Sequence, residues 1–265
     1  MNVNRSRPIK AITFDATNTL IKFRVPPPKI YLKYVEEHTG FHDELAETLV
    51  STKFIEAFKK YEKKYANYGY KEKMSDHEWW KLVIKDTWLG IGVNNILVDA
   101  HLENGTTYLM NYFGSSLGYS LYPESVEALE KLHKKGIRMG IISNSDSQLH
   151  AVLDSVGLRK YFDFVLESSS TGMRKPDKMI FESGLNIFST ILRRETNEKI
   201  EPSQVLHTGD HYYKDFLGAL NAGFSAVYLD RADRMNSYTF VEKDSRDLEN
   251  SLGIIGSLRD LDGFI

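Results

Sequence analysis

Short apolar runs that end in small polar residues recur along the chain and predict a set of buried strands. The runs are rich in Val, Ile, Leu and Phe, and most are followed at once by Asp, Ser or Gly. Between the later runs, apolar residues recur at spacings of three and four, which predicts helices. The predicted strands cover residues 11–14, 138–142, 164–166, 205–208 and 226–229. Alternating strands and helices predict an α/β fold with a parallel sheet that helices cover on both faces.

Residues 26–114 break this alternation and predict a helical insertion. Three consecutive prolines at 26–28 interrupt regular structure, and apolar residues then recur at helical spacings with no strand pattern. Ser75 and Glu78 have the spacing of a capping box. The aromatic residues of the insertion are expected to pack as its own core. We therefore expect a core domain of residues 1–25 and 115–265 and a helical domain of residues 26–114, with hinges near 26–28 and 114–118.

The composition limits the possible classes of function. The chain has 265 residues, of which 42% are hydrophobic, so it can build one large domain or a domain with a smaller companion. A formal net charge of -2 gives no general attraction for nucleic acid or an anionic membrane. The absence of cysteine excludes disulfides and thiolate catalysis. With no secretory signal and no apolar run of membrane-spanning length, we expect a cytoplasmic protein that binds neither nucleic acid nor membranes.

The polar residues at the strand ends are the candidate functional residues. Asp15 directly follows the first predicted strand, Ser143 and Asn144 follow the second, and Asp210 comes just after the fourth. Because ligands bind at the carboxyl edge of a parallel sheet, these side chains are positioned for chemistry. Taken singly, each also has a structural explanation as a helix cap or a turn residue. The functional interpretation depends on their occurrence at successive strand ends.

Four motifs occur at these strand ends in a fixed order. They are Asp15-x-Thr17-x-Thr19-Leu20, Ser143-Asn144, Lys175-Pro176-Asp177 and Gly209-Asp210-x-x-x-x-Asp215. In this order, and over essentially the whole chain, they resemble the motifs of the haloacid dehalogenase-like (HAD) hydrolase superfamily. The resemblance implies a Rossmann-like parallel core of five strands with an inserted α-helical cap domain. It also implies that the first strand lies between the strands of the second and fourth motifs.

The resemblance implies a role for the residues that meet the phosphoryl group. Asp15 is the nucleophile that attacks phosphorus and forms an aspartyl-phosphate, which divides one difficult displacement into two easier ones. Lys175 neutralises the phosphoryl group and the aspartate. Ser143 and the backbone amide of Asn144 donate hydrogen bonds to the phosphoryl oxygens. The expected partner is a small phosphorylated molecule.

The implied cofactor is Mg²⁺, which prefers hard oxygen ligands in octahedral geometry. Asp15, the backbone carbonyl of Thr17 and the carboxylate of Asp210 supply three ligands, and Asp215 either supplies another or supports the rest. The nearby His207 is interpreted as an ordinary strand residue. These residues predict a magnesium-dependent phosphatase site.

Thr17 departs from the pattern of the superfamily's phosphatases. Most of them carry Asp at this position, where it protonates the leaving oxygen and then activates water. A threonine hydroxyl is too weak an acid or base for this work, and losing such a group typically costs roughly 10²–10⁴-fold in rate. Two functions therefore stay open: a phosphatase of weak or selective activity, and a catalytically impaired relative that binds a phosphate ligand or a protein partner.

Two other chemistries of the superfamily are disfavoured by the sequence. Its dehalogenases also lack the acid at position 17, but they need no metal and typically lack the leading acid of the fourth motif, whereas this chain has Asp210 and Asp215. Phosphonate cleavage requires a Schiff-base lysine from the cap, and no pattern marks one. We favour the phosphatase, because a chain released from catalysis has no physical reason to keep Asp15, Lys175 and Asp210 together.

Overall fold

Eight strands are present in residues 8–231 and 251–265, the ranges that this computed structural model describes. The strands are β1 (Ala11–Phe14), β2 (Ile21–Phe23), β3 (Tyr119–Leu121), β4 (Arg138–Ser143), β5 (Phe164–Glu167), β6 (Val205–Gly209), β7 (Ser225–Leu229) and β8 (Ser251–Ile255). Six of them form one parallel sheet in the order β5-β4-β1-β6-β7-β8. The other two, β2 and β3, pair with each other in a separate antiparallel sheet.

The predicted α/β fold is confirmed, with a correction to the number of strands. All five predicted strands are present, and β1 lies between β4 and β6, the strands of the second and fourth motifs. The sheet has six strands rather than five, because β8 adds to it beside β7. Strand β8 was not predicted because Gly253, with a φ of 123°, separates Leu252 from Ile254 and Ile255 and so breaks the apolar run. The strand lies at the edge of the sheet, and among its residues 252–255 only Ile255 is buried.

Helices cover both faces of the sheet and fill the segment between β2 and β3. The helices are α1 (Pro27–Thr39), α2 (Ala46–Lys64), α3 (Ala66–Gly69), α4 (Asp76–Gly90), α5 (Asn95–Phe113), α6 (Ser125–Lys134), α7 (Leu149–Ser155), α8 (Ser168–Thr171), α9 (Lys178–Thr196) and α10 (Gly218–Asn221), with a π-helical turn at Tyr212–Leu217. Within the described ranges, no helix is long and apolar enough to cross a membrane. The cytoplasmic location stays a prediction.

Strand β1 lies between two apolar cores, one on each face of the sheet. Ile12 and Phe14 belong to the core shared with α6 and α7, whereas Ala11 belongs to the core shared with α9. All four residues of β1 are buried, as expected of a central parallel strand. Phe14 is paired with Ile141 on β4 and with Thr208 on β6. The loops that follow these three strands therefore converge at one edge of the sheet.

Helices α1 to α5 pack mainly on one another. The predicted capping box is confirmed at the start of α4, where the backbone N–H of Glu78 donates to Ser75 Oγ (3.2 Å) and the backbone N–H of Ser75 donates to the Glu78 carboxylate (2.8 Å). Trp79 and Trp88 are buried in the two apolar cores of this region. The division of the chain into a core domain of residues 1–25 and 115–265 and a cap domain of residues 26–114 stays a prediction.

A short antiparallel sheet lies at the two junctions between the helical region and the rest of the chain. In it, Ile21 on β2 is opposite Leu121 on β3, and Phe23 is opposite Tyr119. Neither β2 nor β3 is among the strands predicted from the sequence. Strands of three residues are too short for the alternation of apolar and polar residues to identify them.

Candidate active site

The carboxylate of Asp15 lies at the carboxyl end of the central strand. The backbone N–H of Asp15 donates to the carbonyl oxygen of Thr208 on β6 (2.9 Å), so the residue continues the hydrogen bonding of β1 beyond its last strand position. Asp15 is 8% exposed. Its two carboxylate oxygens accept long hydrogen bonds of 3.4 Å from Ser143 Oγ and from Thr19 Oγ1. The structure therefore brings the first and second predicted motifs together around this carboxylate.

Lys175 supplies a buried positive charge beside Asp15. Its ammonium group donates to Oδ1 of Asp15 and to Oδ1 of Asp215, at 2.6 Å in each case. Lys175 is only 2% exposed. Burial of a charged side chain is unfavourable unless opposite charges compensate it, and the two carboxylates do so here. The third and fourth motifs are thus joined to the first through one lysine.

The side chain of Asn144 fixes the backbone at Lys175. Its carboxamide oxygen accepts a hydrogen bond from the backbone N–H of Lys175 (2.7 Å), and its Nδ2 donates to the carbonyl oxygen of the same residue (2.8 Å). This positioning contact was missed in the sequence, where the two residues are 31 positions apart. The binding of phosphate by Ser143 and by the backbone amide of Asn144 stays a prediction.

Asp15, Asp210 and Asp215 form a carboxylate cluster. One oxygen of each side chain lies within 4.8 Å of the corresponding oxygens of the other two. Gly209 makes room for the cluster, because a Cβ atom there would lie 2.3 Å from Cγ of Asp215. Hard carboxylate oxygens at this spacing are the donor set that Mg²⁺ requires, so the residues fit the implied metal. We refer to Asp15, Lys175, Asp210 and Asp215 as the strand-end site.

The strand-end site has an excess of negative charge. Its three carboxylates and one ammonium leave two formal negative charges, which a divalent cation would balance. Burial raises the pKa of Asp15, and the attraction of Lys175 opposes this only in part. Burial also acts on Asp215, but Lys175 and His207 together hold its pKa below the usual range. Burial disfavours the charged form of Lys175, yet its two aspartate partners keep its pKa raised.

His207 contacts the strand-end site, a role that the sequence analysis missed. It lies on β6 as predicted, but its Nε2 is 3.3 Å from Oδ1 of Asp215 and its Nδ1 is 2.8 Å from Oγ1 of Thr13. Burial lowers the pKa of His207, so the ring is neutral. Because a carboxylate only accepts hydrogen bonds, the ring proton lies on Nε2 and the Thr13 hydroxyl donates to Nδ1. The backbone N–H of His211 donates a further hydrogen bond to Oδ2 of Asp215 (2.9 Å).

Thr17 lies between the strand-end site and a neighbouring cavity. It follows Asp15 by two residues, forms an isolated bridge with Ile21, and lines a cavity of about 330 Å³ between the strand ends and the helical region. We refer to this space as the aromatic cavity, since most of its wall consists of aromatic and other apolar side chains. The use of the Thr17 carbonyl as a metal ligand stays a prediction.

A second buried ion pair holds the loop that follows β1. Arg231 lies just after β7 and donates to a carboxylate oxygen of Glu124 (2.6 Å) and to the carbonyl oxygen of Thr19 (2.7 Å). Its guanidinium carbon is 3.5 Å from the centre of the Tyr122 ring. No local sequence signal identifies this group, since Arg231 is 107 residues from Glu124 and 212 from Thr19. Arg231 therefore anchors Thr19, whose hydroxyl donates to the Asp15 carboxylate.

Comparison with known proteins agrees with this arrangement of motifs. A family model described as haloacid dehalogenase-like hydrolase matches residues 9–223. The chain therefore belongs to the haloacid dehalogenase-like hydrolases. Among its curated relatives is haloacid dehalogenase-like hydrolase domain-containing protein 3 of Xenopus laevis, which is 30% identical over 221 residues that make up 83% of this chain and 84% of the relative. Within the superfamily, the four motifs of this chain most resemble those of this group, and the comparison confirms that resemblance.

Solved structures of similar fold include proteins with different chemistry. A HAD phosphatase from Thermococcus onnurineus superposes with a TM-score of 0.57 at 20% identity, over 96% of this chain and 97% of the other. A 2-haloacid dehalogenase from Pseudomonas syringae superposes with a TM-score of 0.61 at 19% identity, over 97% of both chains. At these identities the likeness establishes the fold alone. The choice between the two chemistries depends on the site residues of this chain.

Proposed function

We propose that the protein is a Mg²⁺-dependent phosphatase that acts on a small phosphorylated molecule through an aspartyl-phosphate at Asp15. The carboxylate cluster of Asp15, Asp210 and Asp215 within 4.8 Å is the observation that carries the proposal. Attack on a phosphoryl group by a carboxylate brings two anions together and needs cationic help. Lys175 supplies one positive charge at 2.6 Å from Asp15. The remaining negative charge of the strand-end site favours a chemistry that uses a divalent metal over metal-free dehalogenation.

The proposed reaction has two displacements at phosphorus. A carboxylate oxygen of Asp15 attacks phosphorus, the bond to the leaving oxygen breaks, and that oxygen keeps the electron pair and takes a proton from solvent. Water then attacks the phosphorus of the aspartyl-phosphate, its bond to Asp15 breaks, and phosphate leaves with the carboxylate restored. The sum is hydrolysis by one water molecule. When bound, Mg²⁺ supplies charge neutralisation for both displacements.

The residues of the chain have distinct tasks in this scheme. Lys175 pairs with the nucleophile and neutralises the transferred group, while Asn144 holds the lysine backbone in place. Asp215 fixes the ammonium from its other side and is itself held by His207. These contacts orient the nucleophile before substrate arrives, which lowers the cost of reorganisation during the reaction.

Thr17 limits which substrates turn over rapidly. Without an acid beside the leaving oxygen, departure is slow when that oxygen becomes a strongly basic alkoxide and much less impaired when it leaves as a phenolate or a carboxylate. We therefore propose that aryl phosphates and acyl phosphates are better substrates than alkyl monoesters. The second displacement also lacks its base, so the aspartyl-phosphate persists long enough to be trapped by acid.

The metal dependence is tested by a matched pair of variants. Native protein, Asp210→Ala and Asp154→Ala are melted with and without Mg²⁺ and assayed with an aryl phosphate. Asp154 is an exposed acid on α7 and serves as the control. We expect Mg²⁺ to stabilise and activate the native and control proteins and to do neither for Asp210→Ala. An unchanged response to Mg²⁺ in Asp210→Ala would remove the metal assignment.

The second candidate function is that of a binding protein without turnover. Thr17, which replaces the usual acid, is the observation that favours it. The same assay separates the two candidates. Failure of aryl, acyl and alkyl phosphates to turn over or to label Asp15, together with Mg²⁺-dependent binding of inorganic phosphate, would support the binding protein over the phosphatase.

A further inference from the structure

The aromatic cavity begins beside the strand-end site, at Thr17, and extends under the helical region. Thr17, Asn144 and Ser145 line it on the side of the motif loops. Eight aromatic side chains form much of the remaining wall: Phe23, Tyr31, Phe54, Phe58, Tyr68, Trp80, Phe113 and Tyr119. A volume of about 330 Å³ is within the range of pockets that hold small ligands. A group attached to a phosphoryl at Asp15 would enter this space.

One carboxyl group faces this mainly apolar cavity. Asp146 lines the wall, accepts a hydrogen bond from the indole N–H of Trp80 on Oδ2 (2.5 Å), and accepts one from the backbone N–H of Gln148 on Oδ1 (3.1 Å). The described residues that line the cavity include no Lys, Arg or His. No basic side chain of residues 8–231 or 251–265 forms an ion pair with Asp146. The carboxyl group therefore lacks a cationic partner among these residues.

The surroundings of Asp146 make its negative charge unfavourable. Burial, followed by the nearby charge of Asp76, raises the pKa of Asp146 to about 7, and the Trp80 hydrogen bond offsets this only in part. The titratable groups that face Asp146 from neighbouring elements are Asp76 on α4, Glu167 on β5, Tyr31 on α1, Tyr68 on α3 and Tyr119 on β3. All are acidic or neutral. A ligand cation would supply the missing countercharge.

The backbone beside the cavity is held in an unfavourable conformation that directs an aromatic ring into it. Asn67 and Tyr68 are consecutive non-glycine residues with φ of 53° and 57°, in the left-handed region. Asn67 Nδ2 donates to the carbonyl oxygen of Gly172 (2.5 Å), and the Tyr68 hydroxyl donates to the carbonyl oxygen of Asn144 (3.4 Å). These contacts join the helical region to the loops of the strand-end site. Strain of this kind is typical of ligand-binding positions.

We propose that the aromatic cavity binds the leaving group of the substrate, and that this group is an aromatic ring bearing a protonated amine that pairs with Asp146 and contacts the face of Trp80. The inference rests on the proposed phosphatase function. Aromatic walls attract a cation through the ring faces, and the carboxylate adds a direct ion pair. The aromatic ring of the leaving group packs on the apolar wall, and its phenolic oxygen is the kind of leaving group that Thr17 permits.

The first test measures binding of the leaving group alone, without Mg²⁺ and without phosphate. Tyramine, para-ethylphenol and para-hydroxyphenylpropionate share a phenol ring and carry a cationic, a neutral and an anionic end. By calorimetry on the full chain, we expect tyramine to bind about tenfold more tightly than para-ethylphenol, and the propionate to bind most weakly. Asp146→Asn should abolish the preference for tyramine, while the exposed control Asp154→Asn should keep it. Equal binding of the three ligands would overturn the inference.

A second measurement uses the native protein only, so it does not depend on the folding of a variant. An alkylammonium stays protonated up to about pH 10, whereas Asp146 gains negative charge between about pH 6 and about pH 8. The ratio of tyramine affinity to para-ethylphenol affinity should therefore rise several-fold across this interval. A ratio that is flat or falls with pH would contradict the pairing with Asp146.

The phosphorylated ligands separate this inference from the function on which it rests. O-phosphotyramine and para-ethylphenyl phosphate are compared as substrates with Mg²⁺ present. A higher kcat/KM for O-phosphotyramine that disappears in Asp146→Asn supports both proposals. Turnover of the two compounds at equal rates would overturn the amine preference and leave the phosphatase in place. Preferential binding of tyramine without turnover of either phosphate would overturn the phosphatase and support the cavity assignment.

Discussion

The strand-end site and the aromatic cavity adjoin at Thr17, yet the first consists of charged side chains and the second mainly of apolar ones. Around Asp15, charged groups are buried and paired at 2.6 Å through a lysine that is 2% exposed. The cavity has an apolar aromatic wall and one carboxyl group without a cationic partner among the described residues. The first arrangement orients charge for a reaction, and the second offers contact area with a single charged feature.

The contrast suggests that chemistry and recognition are separable in this protein. In the proposed function, chemistry belongs to loops of the parallel sheet, which two apolar cores hold in place. In the same proposal, recognition belongs to the aromatic cavity, whose aromatic wall comes largely from helices α1 to α5. The following predictions test this separation, from the largest expected effect to the smallest.

Removal of the nucleophile should abolish turnover and leave the cavity intact. In Asp15→Asn we expect kcat to fall by roughly 10³–10⁶-fold, because an amide in place of the proposed nucleophile cannot form the covalent intermediate. Tyramine binding, measured by calorimetry in the same preparation, should stay within about twofold of native, since Asp15 does not line the cavity. If the variant retains native turnover, Asp15 is not the nucleophile. If tyramine binding is lost as well, the two regions are not separable.

Restoration of the acid at the boundary should change substrate preference. In Thr17→Asp we expect alkyl monoester hydrolysis to rise by roughly 10²–10⁴-fold, with a much smaller gain for aryl phosphates. The carboxyl group has space, because Thr17 is half-buried and faces the cavity. The measurement is the pair of aryl and alkyl rates in both proteins, with acid-quench trapping of the aspartyl-phosphate, whose lifetime should shorten. Equal aryl and alkyl rates in the native protein would mean that another residue supplies the acid.

The buried ion pair that supports the strand-end site should stabilise the protein more than an exposed ion pair on the helical region. Arg231 and Glu124 are 7% and 5% exposed, so Arg231→Met leaves a buried carboxylate unpaired and should lower the free energy of unfolding by about 3–5 kcal/mol. The matched control is Lys60→Met, which breaks the exposed pair with Asp86 on the helical region and should cost at most about 1 kcal/mol. Urea unfolding of both variants measures the difference. Similar costs would mean that the Arg231 pair is not an anchor.

The smallest effect concerns the dependence of stability on pH at the cavity. The pKa of Asp146 is about 7 in the folded protein against 3.8 for an ordinary aspartate, so its contribution to stability is full at low pH and is lost as pH rises through about 7. We therefore expect Asp146→Asn to gain about 1–2 kcal/mol relative to native between about pH 5 and about pH 8, after allowance for partial solvent contact.

The control for this pH effect is Asp154→Asn, which changes an exposed acid of the same type. Its stability relative to native should not vary with pH. Thermal melts of all three proteins at the two pH values provide the comparison. A constant difference between Asp146→Asn and native would show that the cavity does not destabilise the carboxylate.

Much of the fold and of the strand-end site could be predicted from the sequence because the signals are local. The apolar runs at 11–14, 138–142 and 205–208 identify buried strands, and the polar residue that follows each run identifies the edge where a site forms. The order of the strands came from the family resemblance. That strand order places Asp15 close to Asp210, and the structure shows the two side chains in one cluster.

Other features depend on contacts between residues far apart in the chain, which no local pattern encodes. Arg231 binds Glu124, 107 positions away in the chain, and Thr19, 212 positions away. Asn144 holds the backbone of Lys175, which is 31 positions away. Strand β8 was missed because Gly253 interrupts its short apolar sequence. The contact of His207 with Asp215 was missed because a buried histidine on a strand is equally consistent with simple packing.

The sequence by itself determined the α/β fold, the helical insertion and the residues of the strand-end site, since each follows from periodicity or from motif spacing over a few positions. Only the tertiary structure decided which aromatic residues pack in a core and which line the cavity. Trp79 and Trp80 are neighbours in one helix, yet Trp79 is buried in a core of the helical region. Trp80 instead lines the cavity and donates a hydrogen bond to Asp146 there. Successive helical positions point about 100° apart, and what each meets depends on segments that fold against the helix from elsewhere in the chain.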